Sequence, residues 1–330
     1  MLGAGGGGDT PTPLVMALLA VDRHGPVQVV GLDDLAPDAV VMPCGLVGSA
    51  AVAEERLWSG DEGAVLADAV AELRGRPVDA VMCFQIGGAG GLLPVAWAAR
   101  LGLPLVDADG MGRAFPGLQH QAMRLGGVPA SPVVLTDGRG SAVVVRAADD
   151  SAAERLAMRA AASLGGVCAG AVYCMTGDEA RSAAIGGSLS RALEIGTRGA
   201  PGQVVLFEGR VVDLEREVGA GSVGGSATLT GMGADAGRQL RLELQNQFLL
   251  AIEDGAVRAA VPDVVCVLGT ETREPVSTGA LRYGDALTVV ALPAPAVWRS
   301  QRGLELAGPR AFGYDVDYEL IAAEALHGGG

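Results

Sequence analysis

Short apolar runs alternate with amphipathic segments along the first part of the chain. Residues 78–84 and 103–106 are largely apolar runs of the kind that form buried strands. Residues 61–74 carry apolar side chains at helical spacing, and residues 92–101 are also predicted to be helical. Because strand, helix and strand follow one another here, the pattern predicts a βαβ unit and an α/β domain with a largely parallel sheet and helices. Further helices are predicted at residues 13–22, 151–164 and 188–195, and a hairpin at residues 131–146.

The pattern changes near Pro201. From there to about residue 292 the chain consists mostly of alternating or apolar strand-like runs separated by Gly, Asp and Pro. Such runs are predicted at residues 203–207, 226–229, 240–244, 256–261, 264–268 and 287–291. The chain is therefore predicted to consist of an α/β part followed by a β-rich part.

Glycines and acids come directly after two of the predicted strands. Residues 85–91 form a glycine-rich loop, and residues 107–113 combine Asp107, Asp109, two glycines and Arg113. Open α/β sheets place their ligands at the carboxyl ends of such strands. Glycine lets the backbone approach a ligand closely, and Asp or Arg can orient it. The alternative is a tight turn whose Asp caps the next helix, and the pattern favours neither.

A second glycine-rich stretch opens the chain, at residues 3–8, and ends in Asp9. Its residues match the dinucleotide-binding fingerprint G-x-G-x-x-G, but that fingerprint requires a preceding strand, which is not predicted here. A loop that holds another anion or a carbonyl at a helix start is favoured instead.

The amino-acid composition argues against several classes of function. With 330 residues the chain is long enough for two domains, and 49% of its residues are hydrophobic without any uninterrupted run long enough to span a membrane. The net charge of −14 and the absence of a basic stripe argue against a nucleic-acid partner. All 24 basic residues are Arg, which excludes a Lys Schiff base. Met1 leads directly into glycines without a signal peptide, so a cytoplasmic location is expected.

The five cysteines and three histidines match no zinc spacing. Free cysteines are expected, and a His-rich metal site is disfavoured. A carboxylate-led site for a divalent metal stays open.

Four stretches together resemble the DUF917 family, also called the S-methyl thiohydantoin desulfurase family. They are residues 2–9 (LGAGGGGD), 106–116 (VDADGMGRAFP), 175–177 (MTG) and 312–318 (FGYDVDY). The resemblance implies an α/β domain at residues 1–165 and a β-rich domain at residues 166–330. It also implies hydrolysis of an S-methyl thiohydantoin to a hydantoin plus methanethiol, and an association with hydantoinase/oxoprolinase-like proteins.

The chain departs from the family pattern next to the predicted site. Members commonly carry Glu-Ile-Gly-Gly-x-Asn after the third strand, whereas this chain has Gln85 for the acid and Gly90 for the Asn. Cys83 replaces the usual Pro. Gln cannot act as an anionic base or metal ligand.

Two functions follow as hypotheses. In the first, the chain is a hydrolase of a small hydantoin-like or S-methyl thiohydantoin-like ring, with no cofactor assigned beyond the open divalent metal. The carboxylates would orient water or hold the metal, glycine N–H groups would stabilise charge, and Arg113 would pair with a substrate carboxylate. Cys83 would be a thiol nucleophile with His120 as the candidate activator, although a buried structural Cys is the favoured alternative. The residues assigned to catalysis are Asp107, Asp109, Cys83 and Gln85, and those assigned to substrate binding are Gly6, Gly7, Asp9, Gly87, Gly88 and Arg113.

In the second hypothesis, the chain is a non-catalytic or altered-specificity subunit. The losses at Gln85 and Gly90 favour it. Such a protein would form a hetero-oligomer with a paralogue or a hydantoinase/oxoprolinase-like partner, whereas the hydrolase would act as a homo-oligomer or within such a complex.

Overall fold

A computed structural model describes residues 10–199, 202–218 and 223–321 of the chain. The chain separates into two compact units between Ala192 and Leu193, which we call the N-terminal and C-terminal units and describe separately. No described helix is long and apolar enough to cross a membrane.

The N-terminal unit is an α/β structure. Its helices are α1 (Pro11–His24), α2 (Ala50–Glu55), α3 (Glu62–Arg74), α4 (Ala89–Leu101), α5 (Ala122–Leu125), α6 (Asp150–Ser163) and α7 (Gly177–Ala183), and α8 (Ser188–Arg198) continues into the C-terminal unit. Its strands are β1 (Val29–Val30), β2 (Val40–Gly48), β3 (Ala80–Cys83), β4 (Leu105–Val106), β5 (Ala108–Asp109), β6 (Val133–Thr136), β7 (Ala142–Val145), β8 (Val167–Ala171), β9 (Met175–Thr176) and β10 (Ile185–Gly186).

The main sheet of this unit has the order β1-β4-β3-β2-β8-β6-β7. Strands β1, β4, β3 and β2 are parallel to one another, which confirms the predicted α/β class and the βαβ unit β3-α4-β4. Beyond β2 the sheet is antiparallel, so it is mixed overall. The antiparallel half includes the predicted hairpin β6–β7, whose turn is closed by Asp137 accepting hydrogen bonds from the N–H groups of Arg139 and Ser141.

Apolar side chains of α4 cover the parallel half of the sheet, whereas α3 packs mainly against β6 and β8 of the antiparallel half. Leu93 and Trp97 of α4 belong to the same buried cluster as Val81 and Leu105 of the strands. Because β3 and β4 are parallel, their carboxyl ends lie side by side at the same edge of the sheet. The loops that follow these two strands contain the predicted site.

The C-terminal unit is β-rich, as predicted. Its strands are β11 (Val204–Val218), β12 (Val223–Gly231), β13 (Gln239–Gln245), β14 (Gln247–Glu253), β15 (Ala256–Ala260), β16 (Val264–Gly269) and β17 (Ala286–Leu292), followed by the helix α9 (Gln301–Ala307). They form one antiparallel sheet with the order β15-β14-β13-β12-β11-β17-β16. Strand β14 was not predicted from the sequence; it follows β13 after the single residue Asn246, which has a left-handed conformation with φ 60°.

The segment after α9 is tied to the C-terminal unit by polar contacts. The side-chain nitrogen of Gln245 in β13 donates to the carbonyl of Phe312 at 2.9 Å, and the Tyr318 hydroxyl donates to Asp263 at 3.0 Å. These contacts give the aromatic and acidic motif at residues 312–318 a structural role in this unit.

Candidate functional site

The two loops after β3 and β4 meet, as the strand order predicts. We call residues 85–91 the glycine loop and residues 107–113 the acid loop. The backbone N–H of Ile86 donates to Asp109 Oδ2 at 2.8 Å, and the N–H of Gly110 donates to the carbonyl of Phe84 at 3.3 Å. The glycines and acids singled out in the sequence therefore line one edge of the sheet.

Asp109 joins these loops to the start of α8. Its side chain is fully buried and accepts hydrogen bonds from the N–H groups of Ile86, Met111 and Gly112. The hydroxyl of Ser188, on the first residue of α8, donates to Oδ1 at 2.6 Å. Because these donors come from three separate segments, Asp109 holds the two loops and the start of α8 together. Its carboxylate oxygens are already engaged in these hydrogen bonds and have little capacity left to accept others.

Asp107 caps a helix, but one that lies far along the chain. Its Oδ1 accepts from the N–H groups of Leu189 at 2.8 Å and Ser190 at 3.1 Å, and its Oδ2 from the Ser190 hydroxyl at 2.6 Å. The capping alternative considered for the sequence thus applies to Asp107, with α8 in place of the next helix. A carboxylate at a helix N-terminus is stabilised by the exposed N–H groups and the helix dipole.

The glycine loop presents backbone donors at the start of α4. Gly87 and Gly88 have φ values of 146° and 51°, which other residues rarely adopt. Residues 87–90 are all buried, yet their N–H groups donate to no acceptor within the described part of the chain. Buried backbone N–H groups are nearly always hydrogen-bonded in proteins. This N-terminus of α4 is therefore suited to an oxygen atom or a negative charge of a ligand.

Gln85 lies beside this helix start. Its side chain is only 9% exposed, and its amide has no hydrogen-bond partner among the residues that the structure describes. A Cβ atom built on Gly90 would lie 2.8 Å from Gln85 Cγ and 3.1 Å from its amide nitrogen. The two departures from the family pattern are thus sterically linked, since Gln85 occupies space that a side chain at position 90 would need.

Cys83 ends β3 directly before the glycine loop. It is fully buried and lies opposite Cys44 of β2 in the sheet. Burial, with smaller effects from the Asp109 and Asp107 carboxylates, raises the pKa of the Cys83 thiol well above its ordinary value. The thiol is therefore protonated at neutral pH, which supports the structural alternative for this residue. All five cysteines are free and buried, as expected.

Arg113 and His120 lie in the protein interior. Arg113 is fully buried, its Nε donates to the carbonyl of Ala114 at 3.1 Å, and its guanidinium lies 5.0 Å from the centre of the Phe115 ring. Burial lowers the pKa of His120 to about 4, with its Nδ1 3.2 Å from the Gly117 backbone. His120 is therefore neutral at physiological pH.

The remaining predictions concern the first glycine-rich stretch and a metal site. Gly6, Gly7 and Asp9, assigned to substrate binding, fall outside the described residues. Within the described ranges, no group of three or more His, Cys, Asp or Glu side chains is arranged to hold a metal ion.

Two residues at the site were missed by the sequence analysis. Ser188 follows two glycines at a predicted helix start, which was a usable signal for a capping residue. Nothing in the sequence around Gln121 indicated that this residue lies at the site. Its side chain is 1% exposed, its Oε1 lacks a partner among the described residues, and that oxygen fills the space that a Cβ atom on Gly110 would need.

The burial of Asp109 predicts a pH dependence of stability. Burial raises the pKa of Asp109 from 3.8 to about 6, although hydrogen bonds from Ser188, Gly112, Met111 and Ile86 oppose the shift. The folded protein therefore binds this proton more tightly than the unfolded chain. The resulting stabilisation, about 3 kcal/mol, is complete below about pH 4 and is lost as the pH rises through about 6.

Carboxyl NMR titration and urea unfolding between about pH 4 and pH 7 test this prediction. Ser188→Ala should raise the pKa of Asp109 further, because the serine hydroxyl stabilises the charged form. A carboxyl that titrates at its ordinary value in the wild type would contradict the prediction.

Comparisons with known proteins identify the family and the fold of the chain. Family models described as the S-Me-THD-like N-terminal domain and the S-Me-THD-like C-terminal domain match residues 1–147 and 148–321. A crystal structure of a protein from Chromobacterium violaceum aligns with a TM-score of 0.77 and 24% sequence identity, covering 97% of this chain and 95% of that chain. At this identity the likeness shows a shared fold. Among curated proteins, none matches the chain.

Proposed function

The chain belongs to the S-Me-THD-like family, and from this premise we propose that it hydrolyses a small hydantoin-like or S-methyl thiohydantoin-like ring where the glycine loop meets the acid loop. The observation that carries the proposal is the row of buried N–H groups at residues 87–90 without acceptors in the described chain. Such donors, fixed before the reaction begins, stabilise charge that develops on a substrate atom.

In an S-methyl thiohydantoin, water adds to the ring carbon that carries sulfur, and negative charge develops on the neighbouring ring nitrogen. The C–S bond then breaks, and one water-derived proton goes to the departing methylthiolate and the other to the ring nitrogen. The products are a hydantoin and methanethiol, so atoms balance with water as the only co-reactant.

Each loop has a separate part in this proposal. The N–H groups at the start of α4 bind the ring atom that becomes negative, helped by the positive end of the helix dipole. Asp109 and Asp107 act as positioning residues, because their hydrogen bonds hold the glycine loop and α8 in place. Water attacks the ring directly, since the Cys83 thiol is held in its protonated form.

The altered-subunit hypothesis is the second candidate. Gln85 brings no charge to the site, and both aspartates are already engaged in hydrogen bonds. A protein of this kind would bind the ring without turning it over and would act with a hydantoinase/oxoprolinase-like partner.

Ala89→Pro tests the hydrolase proposal. Ala89 is the first residue of α4, a position at which proline fits a helix, so the change removes one N–H donor and leaves the helix hydrogen bonds intact. We expect turnover of an S-methyl thiohydantoin to fall about a hundredfold. Methanethiol release by the purified protein is the measurement, and thermal melts check folding.

Ala89→Gly is the matched control, because it also changes the side chain but keeps the N–H group. Equal turnover in the two variants, both folded, would contradict the proposed role of the loop. Absence of turnover in the wild type, together with tight binding of the ring, would favour the subunit hypothesis.

A further inference from the structure

The side-chain amide of Gln85 offers a donor and an acceptor directly after β3. Its residue is more than nine-tenths buried, and no described residue hydrogen-bonds its side chain. Buried polar side chains are normally hydrogen-bonded, so an amide in this state is suited to a ligand. Its carbonyl accepts hydrogen bonds and its NH₂ donates them in one plane.

The surroundings restrict the movement of this amide. The backbone N–H of the next residue, Ile86, is bonded to Asp109 at 2.8 Å. The stem of Gln85 lies over Gly90 in the first turn of α4, where a Cβ atom would come within 2.8 Å of Cγ. The amide nitrogen of Gln85 therefore lies next to Gly90, in the first turn of α4.

We propose that Gln85 is the specificity-determining residue of this site, and that it recognises a lactam edge, a ring N–H next to a ring C=O, on a neutral cyclic substrate. The inference rests on the proposed function and deepens it by naming the chemical edge that the site binds. The Gln85 carbonyl accepts from the ring N–H while its NH₂ donates to the ring C=O. The N–H groups of residues 87–90 remain for a second oxygen or nitrogen of the ring.

A glutamate at this position would select a different edge. An ionised carboxylate only accepts hydrogen bonds, so it suits two adjacent ring donors and repels a ring carbonyl oxygen. Sites built to hydrogen-bond a substrate group discriminate strongly against analogues that lack it, because their own polar groups are then left unpaired. The exchange of acid for amide thus changes which rings bind, while the shape of the pocket is retained.

Binding measurements with two ring probes test the inference. Hydantoin has lactam edges, whereas 1,3-dimethylhydantoin has no ring N–H. We expect the wild type to bind hydantoin at least about tenfold more tightly than the dimethyl compound by isothermal titration calorimetry. In Gln85→Ala and Gln85→Glu the affinity for hydantoin should fall about tenfold, because neither side chain can both accept from the ring N–H and donate to the ring C=O. The affinity should be unchanged in the control Gln239→Ala, which changes an exposed glutamine of β13.

A second measurement uses only the wild-type protein, so it does not depend on whether a Gln85 variant folds. The side-chain amide resonances of Gln85 in a ¹⁵N spectrum of the wild type should shift on addition of hydantoin and stay in place with the dimethyl compound. Shifts with both probes or with neither would overturn the inference.

The outcomes separate this inference from the hydrolase proposal. Tight hydantoin binding that is unchanged in both Gln85 variants overturns the role of Gln85 and leaves the hydrolase proposal standing. Hydantoin binding that weakens in both variants supports the inference even if the wild type releases no methanethiol, a result that would overturn only the hydrolase proposal. If the wild type binds neither probe, the inference is overturned.

Discussion

Asp109→Ala is expected to lower the free energy of unfolding by about 4 kcal/mol. The change leaves the buried N–H groups of Ile86 and Met111 and the half-buried N–H group of Gly112 without their acceptor. It also frees the Ser188 hydroxyl from its 2.6 Å contact. The loss should exceed that of an ordinary surface change because water cannot replace the carboxylate in this fully buried position. Urea unfolding at neutral pH is the measurement.

Asp33→Ala is the matched control, since Asp33 is exposed and its change should stay within about 0.5 kcal/mol of the wild type. If Asp109→Ala matched this control in stability but abolished turnover, Asp109 would be a catalytic group and not a positioning residue. Such a result would overturn the structural role assigned to it here.

Gly110→Ala is expected to cost about 3 kcal/mol of stability. A Cβ atom at this position would overlap Gln121 Oε1 and lie 2.6 Å from Met123 Cε and 2.7 Å from Met123 Sδ. Since the Gly110 backbone also bonds Phe84 and Ala122, the acid loop cannot move away without breaking those hydrogen bonds. We therefore expect binding of the ring to weaken together with stability.

Gly279→Ala is the matched control for Gly110→Ala. Nothing lies within 4 Å of a Cβ atom built at Gly279, and its φ is not in the left-handed region. It should unfold within about 0.5 kcal/mol of the wild type. Equal denaturant midpoints for the two alanine variants would show that the packing around Gly110 can adjust.

Local signals predicted much of the N-terminal unit. The apolar runs gave β3 and β4, and helical spacing gave α3, with differences of a few residues at the ends. Thr176 and Glu179 form a capping box at the start of α7, in which each side chain bonds the backbone of the other, and this arrangement follows the Thr-x-x-Glu pattern in the sequence. These features depend on neighbours in sequence, which is why a pattern along the chain can show them.

Predictions that depended on distant contacts were less complete. The antiparallel pairing of β8 with β2 and the strand β14 were not recognised, because pairing partners are not encoded in the period of a single segment. Asp107 was recognised as a candidate cap, but its helix lies about 80 residues further on, as the sequence separation of their hydrogen bonds shows.

The sequence by itself determined where the glycines and acids lie, at the ends of two parallel strands, because alternating strands and helices restrict the topology of the sheet. Only the tertiary structure decided what those groups do. It directed the Asp109 carboxylate to Ile86 and Ser188, placed Gln85 over Gly90, and left the N–H groups of residues 87–90 without an acceptor in the described chain. The physical reason is that hydrogen bonding and burial depend on distances of a few ångströms between segments, and close packing sets those distances only when the whole unit has folded.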